Sequence, residues 1–92
     1  MAIVTLRYWA AAKEAARTAE ETVSARTLAE ALAAARGKTE SSPEAGQDSR
    51  LRAVLARSSF LIDGTPVGSR APEAVVLSDA SVIEVLPPFA GG

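Results

Sequence analysis

The chain has 92 residues, 48% of them hydrophobic, and its 10 Lys and Arg residues nearly balance 11 Asp and Glu residues, for a formal charge of −1. This length supports one small domain, and the balanced charge excludes the basic surface typical of proteins that bind nucleic acid or anionic membranes. The sequence contains no cysteine and no histidine, which excludes disulfides, thiolate nucleophiles and the commonest general base.

Two further sequence features narrow the class of protein. No apolar stretch reaches the roughly 18 residues that a membrane-spanning helix needs, and the N-terminus does not have the layout of a signal peptide. The carboxylates are scattered along the chain, which is typical of a solvated surface rather than of a catalytic pair. We therefore expect a cytoplasmic protein that holds no metal ion and catalyses nothing alone.

Strands and helices alternate in the predicted first half. Residues 3–9 are rich in β-branched and aromatic side chains, which predicts an opening strand. Residues 10–17 are alanine-rich and predict a short helix, and residues 20–25 predict a strand that follows it. The two-residue period of a strand gives this opening strand a core face made of Val4, Leu6 and Tyr8.

The clearest helix start in the chain comes next. Thr27 and Glu30 have the spacing of a capping box, in which the Thr hydroxyl accepts from the N3 amide while the Glu side chain reaches back. Apolar residues then recur at helical spacing, and Gly37 stands where a left-handed residue would end the helix. We interpret this segment as the main helix. Residues 37–48 have no apolar periodicity and predict a surface loop.

Another helix and a strand are predicted after this loop. Ser49 is placed to cap a helix over residues 50–57. The apolar side chains of this helix fall on one face, which consists of Leu51, Val54 and Leu55. Residues 60–62 are apolar and β-prone, which predicts a compact strand.

Turns and one more strand complete the predicted domain. Residues 63–64 are Asp-Gly, a turn signal. Pro66 on the returning segment lacks an amide donor, which predicts an edge strand. Residues 78–81 predict another turn, and residues 82–86 predict the last strand, with two inward side chains, Ile83 and Val85.

The order of these elements predicts the fold class. It is strand, short helix, strand, two helices and three strands, with no internal repeat and no interdomain linker. This order predicts an α+β domain over residues 1–86, in which a mixed sheet packs on one main helix.

The last six residues, 87–92, form a separate segment that predicts an extended, flexible and reactive tail. The two prolines at its start fix φ and lack amide donors, so the preceding strand stops pairing there. Six residues reach about 20 Å at roughly 3.3 Å per residue, and terminal glycines allow close backbone approach. We expect the carboxylate of Gly92 to undergo chemistry while the other tail residues bind a partner: Pro87, Pro88, Phe89, Ala90 and Gly91. The alternative is a plain frayed terminus.

The element order and the tail together resemble the β-grasp (ubiquitin-like) sulfur carriers of the MoaD/ThiS family. Within them the chain is most similar to the MoaD-type small subunit of molybdopterin synthase. The resemblance spans essentially the whole chain and is most specific in residues 6–11 (LRYWAA), 61–64 (LIDG) and 85–92 (VLPPFAGG). Two features depart from the family pattern: Asp79 is followed by Ala80 where Asp-Gly is common, and residues 37–48 have no clear counterpart.

This resemblance implies a chemical role for the terminus. In such carriers the terminal carboxylate, here that of Gly92, is adenylated by a MoeB-type enzyme, which uses the ATP and magnesium itself; this chain is expected to bind no cofactor. A persulfide-bearing sulfurtransferase then leaves a thiocarboxylate. In molybdenum cofactor biosynthesis a MoaE-type large subunit binds precursor Z, and the inserted tail donates its sulfur toward molybdopterin.

The β-grasp fold also implies a docking surface. Its first and last strands are parallel neighbours in the centre of the sheet, so we expect Trp9 and Leu86 to lie side by side and exposed, with Pro66 near them. The alternative is that Trp9 packs under the short helix. Phe89 is expected to anchor in a partner's channel, with folding back on its own sheet as the alternative.

Other functions remain open from the sequence. The thiocarboxylate sulfur could go to the thiazole of thiamine, as in ThiS-type carriers, or to cysteine or another pathway. A ubiquitin-like modifier would instead join Gly92 to lysines of other proteins through isopeptide bonds. A β-grasp module with a purely structural binding role is the remaining possibility.

Overall fold

The structure, a computed structural model, describes residues 2–37 and 49–88. The predicted loop beyond Gly37 and the tail from Phe89 onward therefore lie outside the described residues. The elements in chain order are β1 (Ala2–Tyr8), α1 (Ala10–Ala16), β2 (Glu20–Ala25), α2 (Leu28–Ala34), α3 (Ser49–Arg57), β3 (Ser59–Ile62), β4 (Thr65–Pro66), a short 3-10 helix (Pro72–Ala74) and β5 (Val82–Leu86).

Five strands form one mixed sheet in the order β2-β1-β5-β3-β4. The central strands β1 and β5 are parallel, and the other neighbouring pairs are antiparallel. The predicted α+β architecture and the central position of the first and last strands are both confirmed. Pro66 lies on an edge strand, as its missing amide donor predicts.

The core lies between one face of this sheet and the helices. The predicted inward side chains of β1 and β5 are all at most 1% exposed, and they form one cluster with apolar residues of α1, α2 and α3. Burying side chains of this size stabilises the fold by about 1.5–3 kcal/mol each. The largest fully buried residues are Val4, Leu6, Tyr8, Leu28, Leu51, Ile83 and Val85.

The expectation of one main helix is imprecise, because three short helices share the covering of the sheet. α2 has only seven residues, whereas α3 has nine and buries Leu51 and Leu55. α3 also begins at Ser49 itself, one residue earlier than the predicted range of 50–57.

Gly37 does not end the helix as predicted. α2 stops at Ala34, and its C-cap Ala35 is extended, with φ −64° and ψ 125°. Gly37 has φ 65°, and a Cβ built there would lie 2.5 Å from the carbonyl oxygen of Ala16 at the end of α1. The glycine therefore permits a close tertiary approach between two segments, which no local pattern reveals.

The capping box is present with a shift of one residue. Thr27 Oγ1 accepts a hydrogen bond from the amide of Glu30 at 3.2 Å, as predicted. Glu30 Oε1 accepts from the amide of Arg26 at 2.8 Å rather than from that of Thr27. Thr27 meanwhile forms an isolated β-bridge with Val76, so the helix start is also joined to the segment before β5.

A partly buried carboxylate, that of Glu21, joins β1, β2 and the residues after α2. The Tyr8 hydroxyl donates to Glu21 Oε1, which also accepts from the amides of Arg36 and Gly37, each at 2.8 Å. Burial, followed by this hydrogen bond, raises the pKa of the Tyr8 phenol far above its ordinary value near 10, so the phenol stays neutral and donates. This contact holds Arg36 and Gly37 beside β2.

Two turns deliver β5 to the centre of the sheet. Asp63 and Gly64 have φ values of 50° and 85°, as in the type I′ turn that the Asp-Gly pair predicts. In the turn before β5, the amide of Ser81 donates to the carbonyl of Ser78 at 3.1 Å. Ala80 has φ 69° there, so it holds the left-handed conformation for which glycine is suited.

We expect the substitution Ala80→Gly to stabilise the protein by up to about 1 kcal/mol. It removes a steric penalty of roughly 1–2 kcal/mol for a Cβ in the left-handed region, partly offset by the greater freedom of glycine in the unfolded chain. The measurement is the free energy of unfolding in urea. The matched control, Gly64→Ala at φ 85° with no atom within 4 Å of the added Cβ, should destabilise. A loss of stability in Ala80→Gly would contradict the argument.

Candidate functional site

The site begins where the two central strands end together. Tyr8 pairs with Val85 in the parallel register, and the amide of Trp9 donates to the carbonyl of Val85 at 3.3 Å. Continuing this register by one residue places Trp9 level with Leu86. The end of β1 and the start of the predicted tail are thus neighbours, although more than 70 residues separate them in the sequence.

Trp9 is held between β1 and α1 with much of its surface accessible. It is the N-cap of α1, with an extended backbone (φ −122°, ψ 152°), and it is 46% exposed. It is therefore not enclosed under the short helix, the alternative considered from the sequence. Leu86 is partly buried, whereas its neighbour Val85 faces the core and is fully buried.

Pro66 lies on the same open face of the sheet. It pairs with Leu61, and Leu61 pairs with Glu84, which is two residues before Leu86 on β5. Side chains two residues apart on a strand point to the same side. Trp9, Leu61, Pro66 and Leu86 therefore share the face opposite the helices, and we call them the apolar patch.

Leu61 is the member of this patch that the sequence analysis did not single out. Its neighbours Phe60 and Ile62 pack against the core cluster, so the period of two sends Leu61 to the open face. That alternation was the available signal, but three consecutive apolar residues hide it.

Charged residues border the apolar patch. Arg7 Nε lies 3.6 Å from Glu20 Oε2, and both side chains are about half exposed, so this pair contributes little stability. Glu84 stands opposite Arg7 in the parallel register. The open face therefore combines an apolar area with a row of alternating charge.

The start of the tail is the last part of the site that the structure describes. Pro87 is partly buried and Pro88 is exposed, and neither belongs to β5, which ends at Leu86. Phe89, Ala90, Gly91 and Gly92 lie outside the described residues. Their reactive and partner-binding roles remain predictions.

Nothing in the described part of the chain provides a metal centre or a membrane span. Residues 2–37 and 49–88 contain no group of three or more His, Cys, Asp or Glu residues placed to hold a metal ion. Within the same ranges no helix has the length and apolar character required to cross a bilayer.

The fold is shared with several solved structures. Small archaeal modifier protein 1 (SAMP1) from Methanosarcina acetivorans superposes with a TM-score of 0.69 at 23% identity, covering 100% of this chain and 98% of that one. The complex of subunits 1 and 2 of molybdopterin-converting factor from Helicobacter pylori gives 0.63 at 20% identity, covering 98% and 99%. The HVO 2177 protein of Haloferax volcanii gives 0.68 at 21%, covering 99% and 87%. No curated protein sequence matches the chain.

These similarities identify a β-grasp, ubiquitin-like domain, with a mixed five-stranded sheet packed on helices. The sequence itself supplies the family. The model of the ThiS family matches residues 6–92, and the chain therefore belongs to the ThiS family. Fold and family together identify a small ubiquitin-like protein of the ThiS sulfur-carrier family.

We expect Trp9→Ala to leave the domain folded, because the indole is about half exposed and β1 is held by backbone pairing on both sides. The free energy of unfolding should fall by less than about 1 kcal/mol. The neighbouring control Tyr8→Ala, which empties a fully buried site, should cost about 3–5 kcal/mol. Denaturant titration of both variants is the measurement, and a comparable loss in Trp9→Ala would show that the indole is part of the core.

Proposed function

We propose that this chain is a sulfur carrier of molybdenum cofactor biosynthesis, the small sulfur-donating subunit of a molybdopterin synthase. The observation that carries the proposal is the parallel pairing of β1 and β5, which brings the apolar patch to the base of the diglycine tail. A group carrier needs a surface that binds its partner and a terminal carboxylate that can enter the partner's active site. The apolar patch and the diglycine tail supply these two features.

The proposed chemistry takes place at the carboxylate of Gly92. A carboxylate is a poor electrophile because its charge is shared by two oxygens. Its attack on the α-phosphorus of ATP, in a MoeB-type adenylating enzyme that holds the magnesium, forms an acyl adenylate and releases pyrophosphate. The terminal sulfur of a sulfurtransferase persulfide then attacks the acyl carbon and AMP leaves. The product is an acyl disulfide that joins Gly92 to the sulfurtransferase. A thiol attacks its enzyme-side sulfur, which breaks the S–S bond, releases the thiocarboxylate and leaves a mixed disulfide on the sulfurtransferase.

The proposed recipient is precursor Z, bound by a MoaE-type large subunit into which the tail inserts. Two observations support this choice over other sulfur pathways. The Pro87-Pro88 pair before the diglycine resembles the MoaD type, and the fold matches a complex of two molybdopterin-converting factor subunits over 98% of this chain. In this proposal Trp9, Leu86 and Pro66 contact the protein partners. Residues 87–91 contact the channel of the large subunit through which Gly92 reaches precursor Z.

A ubiquitin-like modifier is the second candidate. The likeness to small archaeal modifier protein 1 over the whole chain favours it. Both functions begin with an activated Gly92, and they differ in the nucleophile that takes it: a persulfide sulfur for the carrier, a lysine ε-amine for the modifier. A carrier that delivers sulfur to thiazole, cysteine or another product would share the thiocarboxylate and differ only in the recipient.

We predict that ATP, a MoeB-type adenylating enzyme and a sulfur donor convert the terminus to a thiocarboxylate. Intact mass spectrometry should show one oxygen replaced by sulfur, and fragmentation should locate the exchange at Gly92. A variant that ends at Gly91 and one extended beyond Gly92 are the controls, and both should fold but take up no sulfur. Gly92 found on lysine side chains, without sulfur exchange, would favour the modifier.

The second prediction concerns the apolar patch. Trp9→Ala and Leu86→Glu should each weaken binding to the adenylating enzyme or to the large subunit by at least about 2 kcal/mol, as expected for side chains at the centre of an interface. Isothermal titration calorimetry gives the affinity and circular dichroism verifies the fold. Thr22→Ala on β2, on the same face but away from the patch, is the control. Unchanged affinity in both patch variants would exclude this surface as the docking site.

A further inference from the structure

A cleft with a distinct chemical character opens beside the apolar patch. It has a volume of about 350 Å³, which is at the lower end of the range for small binding sites. It lies where the end of β1, the helix α1 and the start of β2 meet, and its lining is mainly apolar. The residues that line it are Arg7, Tyr8, Trp9, Lys13, Ala19 and Glu20.

The backbone holds the side chains of Trp9 and Lys13 on the same side of the cleft. The amide of Lys13 donates to the carbonyl of Trp9 at 3.3 Å, so the two residues are one helical turn apart and adjacent on the surface of α1. The amide of Tyr8 donates to the carbonyl of Ala19 at 2.8 Å, which ties the start of β2 to β1. The cleft is thus built on hydrogen-bonded segments rather than on a loose surface.

The residues that line the cleft carry more positive than negative charge. Arg7 is paired with Glu20. Lys13, by contrast, is exposed, and its ammonium group has no ion pair within residues 2–37 and 49–88. The lining residues therefore include two cations and one anion, and one positive charge remains available beside a half-exposed indole.

We propose that this cleft receives a Glu or Asp side chain of the protein that covers the apolar patch. The carboxylate pairs with the ammonium group of Lys13, and its aliphatic part and neighbouring residue pack on Trp9. A single ammonium group without an ion pair in the described ranges matches a single carboxylate, whereas a nucleotide phosphate would bring more negative charge than one lysine can neutralise. The cleft shares Trp9 with the apolar patch, so one partner surface covers both. The inference deepens the proposed function, on which it rests for the existence of that partner.

Trp9 is the only tryptophan of the chain, so its fluorescence reports on this cleft without a label. We would titrate the full chain with the blocked peptide acetyl-Leu-Glu-Leu-amide and, separately, with the Gln analogue. The Glu peptide should bind in the millimolar range and two- to fivefold more tightly than the Gln peptide, the preference expected for one exposed charge pair. Added salt should remove the preference.

Variants locate the charge. Lys13→Gln should abolish the preference for the Glu peptide, and Lys13→Arg should retain it. Arg26→Gln, at the opposite end of β2, should leave it unchanged. Equal binding of both peptides, no fluorescence response, or a saturable response to AMP instead of peptide would overturn the proposal. The titration does not involve Gly92, so a failed thiocarboxylate reaction and a failed peptide preference are independent outcomes.

Discussion

The parallel pairing of β1 with β5 is the interaction on which the rest of this structure depends. It brings residues from the two ends of the chain together, which is entropically costly because the loop it closes contains most of the protein. In return, β1 and β5 supply the largest buried side chains of the sheet and are paired on both edges. The same register sets Trp9 beside Leu86, so the core and the candidate site are positioned by one set of backbone hydrogen bonds.

One face of the sheet is buried by helices and the other is left open. Period-two alternation assigns each strand residue to one of these faces, so the pattern that fills the core also determines what the open face presents. Trp9, 46% exposed, and Leu61, partly buried, are apolar residues on the open side of the sheet. A small domain with a limited core has little reason to expose such side chains unless a partner covers them.

A small number of specific contacts fix the helices against the sheet and against one another. The three α-helices that the structure describes have seven to nine residues each. Helices of this length are too short to be stable alone, so their geometry comes from tertiary packing. Glu21 joins β2 to Tyr8 and to the amides of Arg36 and Gly37. Gly37 in turn allows the segment that follows α2 to lie against Ala16. These contacts also place α1, and with it Lys13 and the cleft beside Trp9.

The sequence by itself determined the strands and α-helices of the described ranges and their order, but not the 3-10 helix at Pro72–Ala74. It also determined the buried faces of the strands, the Asp-Gly turn and the edge position of Pro66. These features depend on local propensity and on periodicity, which operate over a few residues. Only the tertiary structure decided that Gly37 serves a close approach, that α2 is not dominant, that Leu61 completes the apolar patch, and that Lys13 borders a cleft. Each of these depends on which distant residues lie opposite one another, and that is settled by the balance of burial and chain entropy over the whole domain rather than by any local pattern.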